Sequence, residues 1–166
     1  TMLKALYTWL LEYGISGAIF GLVTKDSSLK QETMESIKEQ LEYLPDYLKL
    51  HTKNDVMNSD EIDIRATKNK LKCWLSNTSP KLAAKVARGF PIGTMGWDEA
   101  AYIENIEIAM GSATFSGNEA RPTLASKGLP YGTLLFTTAG DKESRDGGYI
   151  YRMITNGTMF NEAFFD

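Results

Sequence analysis

Two residue types with rich site chemistry are nearly absent from this chain of 166 residues, which has one cysteine, Cys73, and one histidine, His51. A single cysteine excludes an internal disulfide framework and a cysteine-rich zinc site, so a reducing, intracellular compartment is the natural expectation. Because Cys73 lies next to Trp74 in a strand-like segment, we expect a small buried hydrophobic residue and no nucleophile. His51 lies in a polar segment without a recognisable partner, and we expect it to be exposed.

The sequence also has no uninterrupted hydrophobic run of membrane-spanning length. Its most apolar stretch, residues 3–23, is interrupted by Lys4 and Glu12 and broken by two glycines, whereas a spanning helix needs about 20 mostly apolar residues. These residues also show neither the basic start nor the small-residue cleavage site of a signal peptide. We therefore interpret this stretch as a helix that ends at Gly14, followed by a buried strand.

Neither sign of charge dominates, since 21 acidic and 18 basic residues give a net charge of −3. This balance argues against a domain whose whole surface holds nucleic acid. The densest basic group is Lys68, Lys70 and Lys72, which alternation places on one face of a strand. That face fits either a DNA contact or a simple solvated surface, and the sequence leaves both open.

The remaining pattern is that of one globular domain in which helices alternate with strands. Apolar spacing and turn residues predict a helix over 3–13, a strand over 17–23, a helix from 27 to about 44, a strand pair over 61–66 and 71–76, a short helix over 81–86, a strand over 92–97, a helix over 100–109, a Gly/Ser-rich loop over 111–118, a buried strand over 133–138 and a polar loop over 139–148. Such alternation predicts an α/β fold with a mainly parallel sheet.

In open parallel sheets, ligands bind at the carboxyl ends of the strands. The predicted strand before Asp98-Glu99 places two adjacent carboxylates at such an end, where one can hold magnesium and the other can orient an attacking water. Acidic residues at a helix start are the ordinary alternative. Thr137-Thr138 follows another predicted strand, where local hydrogen bonding is the ordinary role, and Arg88 fits a surface turn.

Several sequence motifs of well-known sites are missing. The chain has no nucleophile elbow of the form G-x-S-x-G, no histidine-rich metal spacing and no dinucleotide-binding G-x-G-x-x-G. The phosphate-binding G-x-x-x-x-G-K-[ST] is also absent from these residues.

The order of the weaker signals resembles the ATPase domain of the large terminase subunit, the DNA-packaging motor of tailed bacteriophages and related viruses. The start of the chain looks like the helix that follows the family's phosphate loop, and the Leu-Pro segment near Pro45 is similar to the end of its next helix. The segment with Ser79-Pro80 and Arg88-Gly89 looks like the loop before the Walker B strand. Residues 98–103, 121–124 and 134–139 are similar to the Walker B carboxylates, a downstream helix and the coupling-motif strand.

This resemblance implies a P-loop NTPase-like three-layer sandwich, incomplete at both ends, with residues 1–166 as a single partial ATPase domain. Asp98 would take the magnesium position and Glu99 would position the attacking water. Arg88 would be an arginine finger acting on a neighbouring subunit, because a planar cation suits the charge on a transferring phosphoryl group. Thr137 and Thr138 would form the coupling motif.

Thr1 would lie at or just past the hydroxyl residue of the phosphate loop, so that Thr1, Thr137 and Thr138 would face the nucleotide. The implied cofactors are ATP and Mg²⁺, with weak or no binding expected for this piece because the loop itself supplies most phosphate contacts. The implied partners are double-stranded DNA, the portal, the small terminase subunit and further copies in a ring on the procapsid. The implied location is the cytoplasm of an infected or lysogenic bacterial host.

Two positions depart from the family pattern and keep other functions open. The strand before Asp98 contains Gly93 and Gly96 in place of bulky aliphatic residues, and Ala139-Gly140 replaces the usual proline of the coupling motif. A degenerate, non-catalytic α/β module for assembly or DNA contact is the first alternative. A helicase-like DNA-dependent ATPase is the second.

Overall fold

A six-stranded sheet organises the residues that this computed structural model describes, 2–128 and 131–157. The strands lie in the order β2-β3-β4-β1-β5-β6. Four neighbouring strands, β4, β1, β5 and β6, are parallel, while β2 and β3 form an antiparallel extension. Their bounds are β1 Ile19–Thr24, β2 Val56–Met57, β3 Glu61–Ile64, β4 Asn69–Leu75, β5 Thr94–Asp98 and β6 Gly132–Phe136.

Helices cover both faces of the sheet. They are α1 Met2–Tyr13, α2 Ser27–Glu42, α3 Pro80–Ala83, α4 Ile106–Gly117, α5 Arg121–Ser126 and α6 Arg145–Thr155. Leu22 of β1 packs in a core with α1 and α2, whereas its neighbour Val23 packs in a second core with α3, α4 and α6. The expected three-layer α/β fold with a mainly parallel sheet is confirmed, and none of the helices that the structure describes is long and apolar enough to cross a membrane.

The centre of the sheet follows from the most apolar segment of the sequence. Strand β1 pairs in parallel with β4 on one side and β5 on the other, and its residues 20–24 are buried, as a strand covered on both faces requires. Helix α2 then begins at Asp26, whose side chain accepts a hydrogen bond from the Leu29 backbone at 2.8 Å. Both the buried strand and the capped helix are confirmed predictions.

Helix α1 is fixed to the sheet by a buried tyrosine. The Tyr7 hydroxyl donates a hydrogen bond of 2.6 Å to the carbonyl oxygen of Gly21 in β1. A Cβ atom at Gly96 in β5 would lie 2.3 Å from the same hydroxyl oxygen. The glycine that departs from the aliphatic pattern of this strand therefore has a packing reason, because it makes room for the Tyr7 side chain.

The helix predicted over 100–109 lies further along the chain. Residues 100–102 form a 3₁₀ turn, and α4 begins only at Ile106 and continues through the segment predicted as a Gly/Ser loop. Residue Asn105 has φ 53°, so the chain reverses there, and its own side chain does not cap α4. The Asp146 carboxylate caps α4 from outside by accepting from the backbone N–H of Asn105 at 3.1 Å and of Ile106 at 3.3 Å.

The predicted polar loop over 139–148 is correspondingly shorter, because α6 begins at Arg145 with Ser144 as its N-cap. Strand β6 exists as predicted, but it is an edge strand of half-buried residues, with Thr133 exposed, and not a central buried one.

The prediction for His51 was wrong. Its ring nitrogen Nδ1 pairs with a carboxylate oxygen of Glu12, and the imidazole is only 10% exposed while the Glu12 side chain is fully buried. The second carboxylate oxygen of Glu12 accepts from the Leu50 backbone at 2.9 Å. Sequence spacing could not show this pair, because its members lie 39 residues apart.

The lysine group on β4 is engaged in ion pairs. Lys70 contacts Glu61 at 2.9 Å and Asp63 at 2.8 Å, and Lys72 contacts Glu61 at 2.5 Å. Lys68 lies outside the strand, in the turn before it, with φ 57°. These three lysines therefore do not form one cationic strand face, and the two on the strand are neutralised by β3.

Replacing Gly96 by alanine tests the packing of α1. We expect Gly96→Ala to lower the free energy of unfolding by about 1–3 kcal/mol, because the new methyl group overlaps the buried Tyr7 hydroxyl. Gly111→Ala is the matched control, since nothing lies within 4 Å of its Cβ position in α4. There we expect a gain of about 0.5–1 kcal/mol. Urea unfolding measures both, and equal effects would contradict the assigned contact.

Candidate active site at the carboxyl edge of the sheet

The two adjacent carboxylates predicted from the sequence lie where β5 ends. Asp98 is the last residue of the strand, and Glu99 follows with φ 56° and ψ 45°. A non-glycine residue in this left-handed region is uncommon and costs roughly 1–2 kcal/mol, so the surrounding structure holds it there. Because of this turn, Asp98 and Glu99 contact different elements. Glu99 makes no side-chain capping bond, so the helix-capping interpretation is wrong for it.

Asp98 lies between β5 and α2 and is half-buried. The Thr33 hydroxyl of α2 donates to its Oδ2 at 3.4 Å. Burial, followed by the negative charge of Glu99, raises the pKa of Asp98 above its usual range. The Thr33 hydroxyl, the Lys4 ammonium and the Glu99 backbone N–H act in the opposite direction without cancelling the effect. A partly desolvated carboxylate of this kind gains from a cation.

Glu99 turns toward the end of β6. The Thr138 hydroxyl donates to its Oε2 at 3.2 Å. The neighbouring Thr137 hydroxyl accepts from the Ala101 backbone N–H at 3.0 Å and donates to the Thr138 carbonyl at 2.8 Å. The two threonines therefore bind the segment that follows Asp98 at two points, one at a carboxylate and one at the backbone.

The first turn of α1 lies at the same edge, because α1 runs antiparallel to the strand that follows it. Lys4 in this turn is nearly buried and contacts Glu32 of α2 at 3.1 Å. Lys25, the exposed residue after β1, lies 5.5 Å from the ring centre of Tyr102. The Tyr102 hydroxyl donates to the Ala139 carbonyl at 2.8 Å, which adds a third connection between the segments after β5 and β6.

The described side chains at this edge do not make a metal site from protein ligands alone. Among residues 2–128 and 131–157, no group of three or more His, Cys, Asp or Glu side chains is arranged to hold a metal ion. Magnesium commonly uses one or two carboxylates together with water and substrate phosphates, and Asp98 is the carboxylate at this edge that could take part in such a site. The free N–H groups in the first turn of a helix such as α1 suit phosphate oxygens.

Two predicted site residues lie outside this group. Arg88 is exposed in the turns that follow α3, beside Glu107 and Phe115 of α4, and it does not contact Asp98 or Glu99. Thr1 lies outside the described residues. The structure thus brings together Asp98, Glu99, Thr137 and Thr138, while Arg88 is placed on an outer surface of the same chain.

Sequence reasoning missed Thr33 and Lys4 as neighbours of Asp98. Thr33 precedes Met34 on the buried face of α2, and a polar residue there is the signal that could have found it. In the sequence, Lys4 is visible only as an interruption of an apolar segment. Cys73 is as predicted, since burial raises the pKa of its thiol to about 12 and leaves it protonated.

Neutralising Asp98 tests its electrostatic environment in the ligand-free protein. The raised pKa means that the folded protein favours protonated Asp98, so the stabilising effect of this residue is present at low pH. It is lost as the pH rises through the folded-state pKa, above which the ionised carboxylate opposes folding. We expect Asp98→Asn to raise stability at pH 7 by about 0.5–1 kcal/mol, since solvent screens a half-exposed group, and to have little effect below about pH 4. Thermal unfolding at the two pH values measures this change in stability.

The control is Asp46→Asn, at a side chain that is 98% exposed, and its stability should differ little from that of the wild type. A loss of stability for Asp98→Asn at pH 7 would contradict the assignment.

Comparison with known proteins gives likeness at the level of structure only. No protein-family profile matches the chain. No curated protein matches it either. The large terminase of a thermophilic bacteriophage is 15% identical over 95% of this chain and 42% of its own, with a TM-score of 0.46. The same protein in complex with ADP is 16% identical over 95% of this chain and 42% of its own, also with a TM-score of 0.46. The large terminase ATPase domain of Thermus phage P74-26 is 13% identical over 82% of this chain and 53% of its own, with a TM-score of 0.48. The chain thus spans less than half the length of the first of these proteins.

Proposed function

We propose that this chain is part of the ATP-hydrolysing motor domain of a viral DNA-packaging terminase. The observation that carries the proposal is the pair of contacts between the end of β6 and the end of β5, above all the hydrogen bond from Thr138 to Glu99 at 3.2 Å. A carboxylate that activates water and a strand that responds to its state would be connected by this bond. The order of motifs in the sequence supports the same function.

Asp98 and the first turn of α1 would bind the nucleotide at the carboxyl edge. Asp98 would hold Mg²⁺, which supplies charge neutralisation at the phosphates. Thr33 orients the Asp98 carboxylate through its hydroxyl, and Lys4 keeps positive charge close to it. The N–H groups that begin α1 would face the phosphates.

Glu99 would position and deprotonate the attacking water. The Asp98 carboxylate contacts Thr33, whereas the Glu99 carboxylate contacts Thr138, so the two acids would have different roles. The Thr138 hydroxyl holds one carboxylate oxygen and leaves the other free for the water. Because Thr137 binds the Ala101 backbone, a change at Glu99 would be passed both to β6 and to the 3₁₀ turn.

Glutamine at position 99 tests the proposed chemistry in the full-length protein. We expect Glu99→Gln to lower kcat for ATP by about 100-fold or more while nucleotide affinity is kept, because the amide still accepts from Thr138 but cannot take a proton. Glu104→Gln, at an exposed residue five positions later, is the matched control and should keep wild-type turnover. Full activity of Glu99→Gln would remove the catalytic assignment.

Arg88 would act on the nucleotide of a neighbouring subunit, in keeping with its exposure and its lack of contact with Asp98 or Glu99. We expect Arg88→Ala to lower turnover of the assembled protein by about 1000-fold. Mixed assemblies of Arg88→Ala and Glu99→Gln subunits should regain activity, because some interfaces then combine one intact finger with one intact carboxylate. Lys85→Ala, also exposed after α3, is the control. Mixtures as inactive as either variant alone would contradict action in trans.

A further inference from the structure

Arg88 lies in a turn whose backbone is left-handed on both sides of it. Ala87, the residue before it, has φ 59°, and Gly89, the residue after it, has φ 82°. A left-handed backbone is unfavourable for alanine, so the surrounding structure holds Ala87 in this conformation. The Ala87 side chain is fully buried, whereas Arg88 is exposed. The turn therefore anchors one residue in the core and presents the next one at a defined place on the surface.

The backbone that leads into this turn is bound by a side chain of α4. The Ser112 hydroxyl lies 2.9 Å from the carbonyl oxygen of Ala84 and 3.0 Å from that of Val86. A hydroxyl has one proton to donate, so the two carbonyls share it. Ala84 and Val86 precede Arg88 by four and two residues. Ser112 thus adds a directional contact to a turn that apolar packing alone would hold less precisely.

The start of the same segment is bound by the residue directly before α4. The side-chain amide of Asn105 donates to the carbonyl oxygens of Asn77 at 3.0 Å and Thr78 at 2.9 Å. Asn105 is nearly buried, and its own backbone N–H donates to Asp146. The segment that carries Arg88, residues 77–88, is therefore hydrogen-bonded near both of its ends to α4 or to the residue before it.

This arrangement fixes Arg88 relative to Glu99 of the same chain, because the segment after Glu99 leads directly into α4. A cation that stabilises a transition state has to be placed accurately, since a misplacement of about 1 Å can cost on the order of 100-fold in rate. We propose that Ser112 is a positioning residue for Arg88 and acts through the carbonyls of Ala84 and Val86. The proposal rests on the proposed function, in which Arg88 acts on the nucleotide of a neighbouring subunit.

A second serine of α4 provides a matched control. Ser116 lies one turn after Ser112 and lines the same surface pocket, together with Arg88. In the part of the chain that the structure describes, its hydroxyl makes no hydrogen bond, whereas that of Ser112 reaches two backbone carbonyls. Serine-to-alanine substitutions at the two positions make the same chemical change on one helix, and only Ser112→Ala takes a donor away from the turn.

Amide hydrogen exchange in the ligand-free chain tests the contact without nucleotide or assembly. The backbone N–H of Arg88 donates to Lys85, and that of Phe90 donates to Ala87. We expect Ser112→Ala to speed exchange at both amides by about 5-fold, the effect of one typical hydrogen bond. Ser116→Ala should leave both rates unchanged. Wild-type exchange rates in Ser112→Ala, measured by NMR, would overturn the proposal.

Mixed assemblies of the full-length protein test the role in catalysis. We expect Ser112→Ala to lower turnover by about 10- to 100-fold while KM for ATP is kept, and Ser116→Ala to retain wild-type turnover. Subunits with Glu99→Gln have an intact Arg88 turn, so adding them to Ser112→Ala subunits should restore activity. Subunits with Arg88→Ala should restore none, because neither partner then supplies a placed cation. A variant that is merely misfolded would be restored by neither.

The same mixtures separate this proposal from the function on which it rests. If Arg88→Ala and Glu99→Gln subunits do not restore each other, Arg88 does not act in trans and the positioning role is overturned with it. If they do restore each other, two results overturn the positioning role alone. One is full turnover by Ser112→Ala, and the other is equal restoration of Ser112→Ala by both kinds of subunit.

Discussion

The contact between a tyrosine hydroxyl and two glycine positions decides how α1 lies on the sheet. Tyr7 reaches the backbone of β1 at Gly21, and it can do so only because Gly96 gives β5 no side chain at that point. Burial keeps the Tyr7 hydroxyl protonated by raising its pKa well above the usual range, so the contact is a permanent hydrogen bond. Helix α1 therefore packs closely against strands β1 and β5.

Much of the candidate active site depends on this approach. With Tyr7 against the middle of the sheet, Lys4 one turn earlier comes to the carboxyl edge beside Asp98, and Glu12 at the other end meets His51. The inward direction of the polar residues of α1 is thus a geometric consequence of one buried phenol. The same rotation of the helix about its axis turns Met2, Ala5, Trp9 and Tyr13 outward, where they are exposed.

The sequence was sufficient for the parts of the fold that local patterns determine. The apolar run of β1, the Asp26 cap and the strand pair β3–β4 are encoded within a few residues and could be predicted. The start of α4 could not, because Asn105 reverses the chain and the capping carboxylate comes from Asp146. The burial of His51 could not be predicted for the same reason, since its partner Glu12 is distant in sequence.

The same distinction between local patterns and distant contacts applies to the candidate site. That Asp98, Glu99 and the two threonines lie at one edge could be predicted, because each lies at or just after the end of a strand and parallel strands end at the same edge. Their pairing could not, because it depends on the left-handed turn at Glu99, which no residue preference indicates. Thr33 and Lys4 were missed because they reach the edge from helices, where a lone polar residue gives little sign of direction.

The cap on α4 also has a consequence for the order of folding. The helix contains glycine, serine and threonine in its second half, so its own residues favour it weakly, and its first N–H groups stay unsatisfied until Asp146 is in place. Because this cap comes from the start of α6, we expect the first turn of α4 to reach its full stability only when α6 is in place.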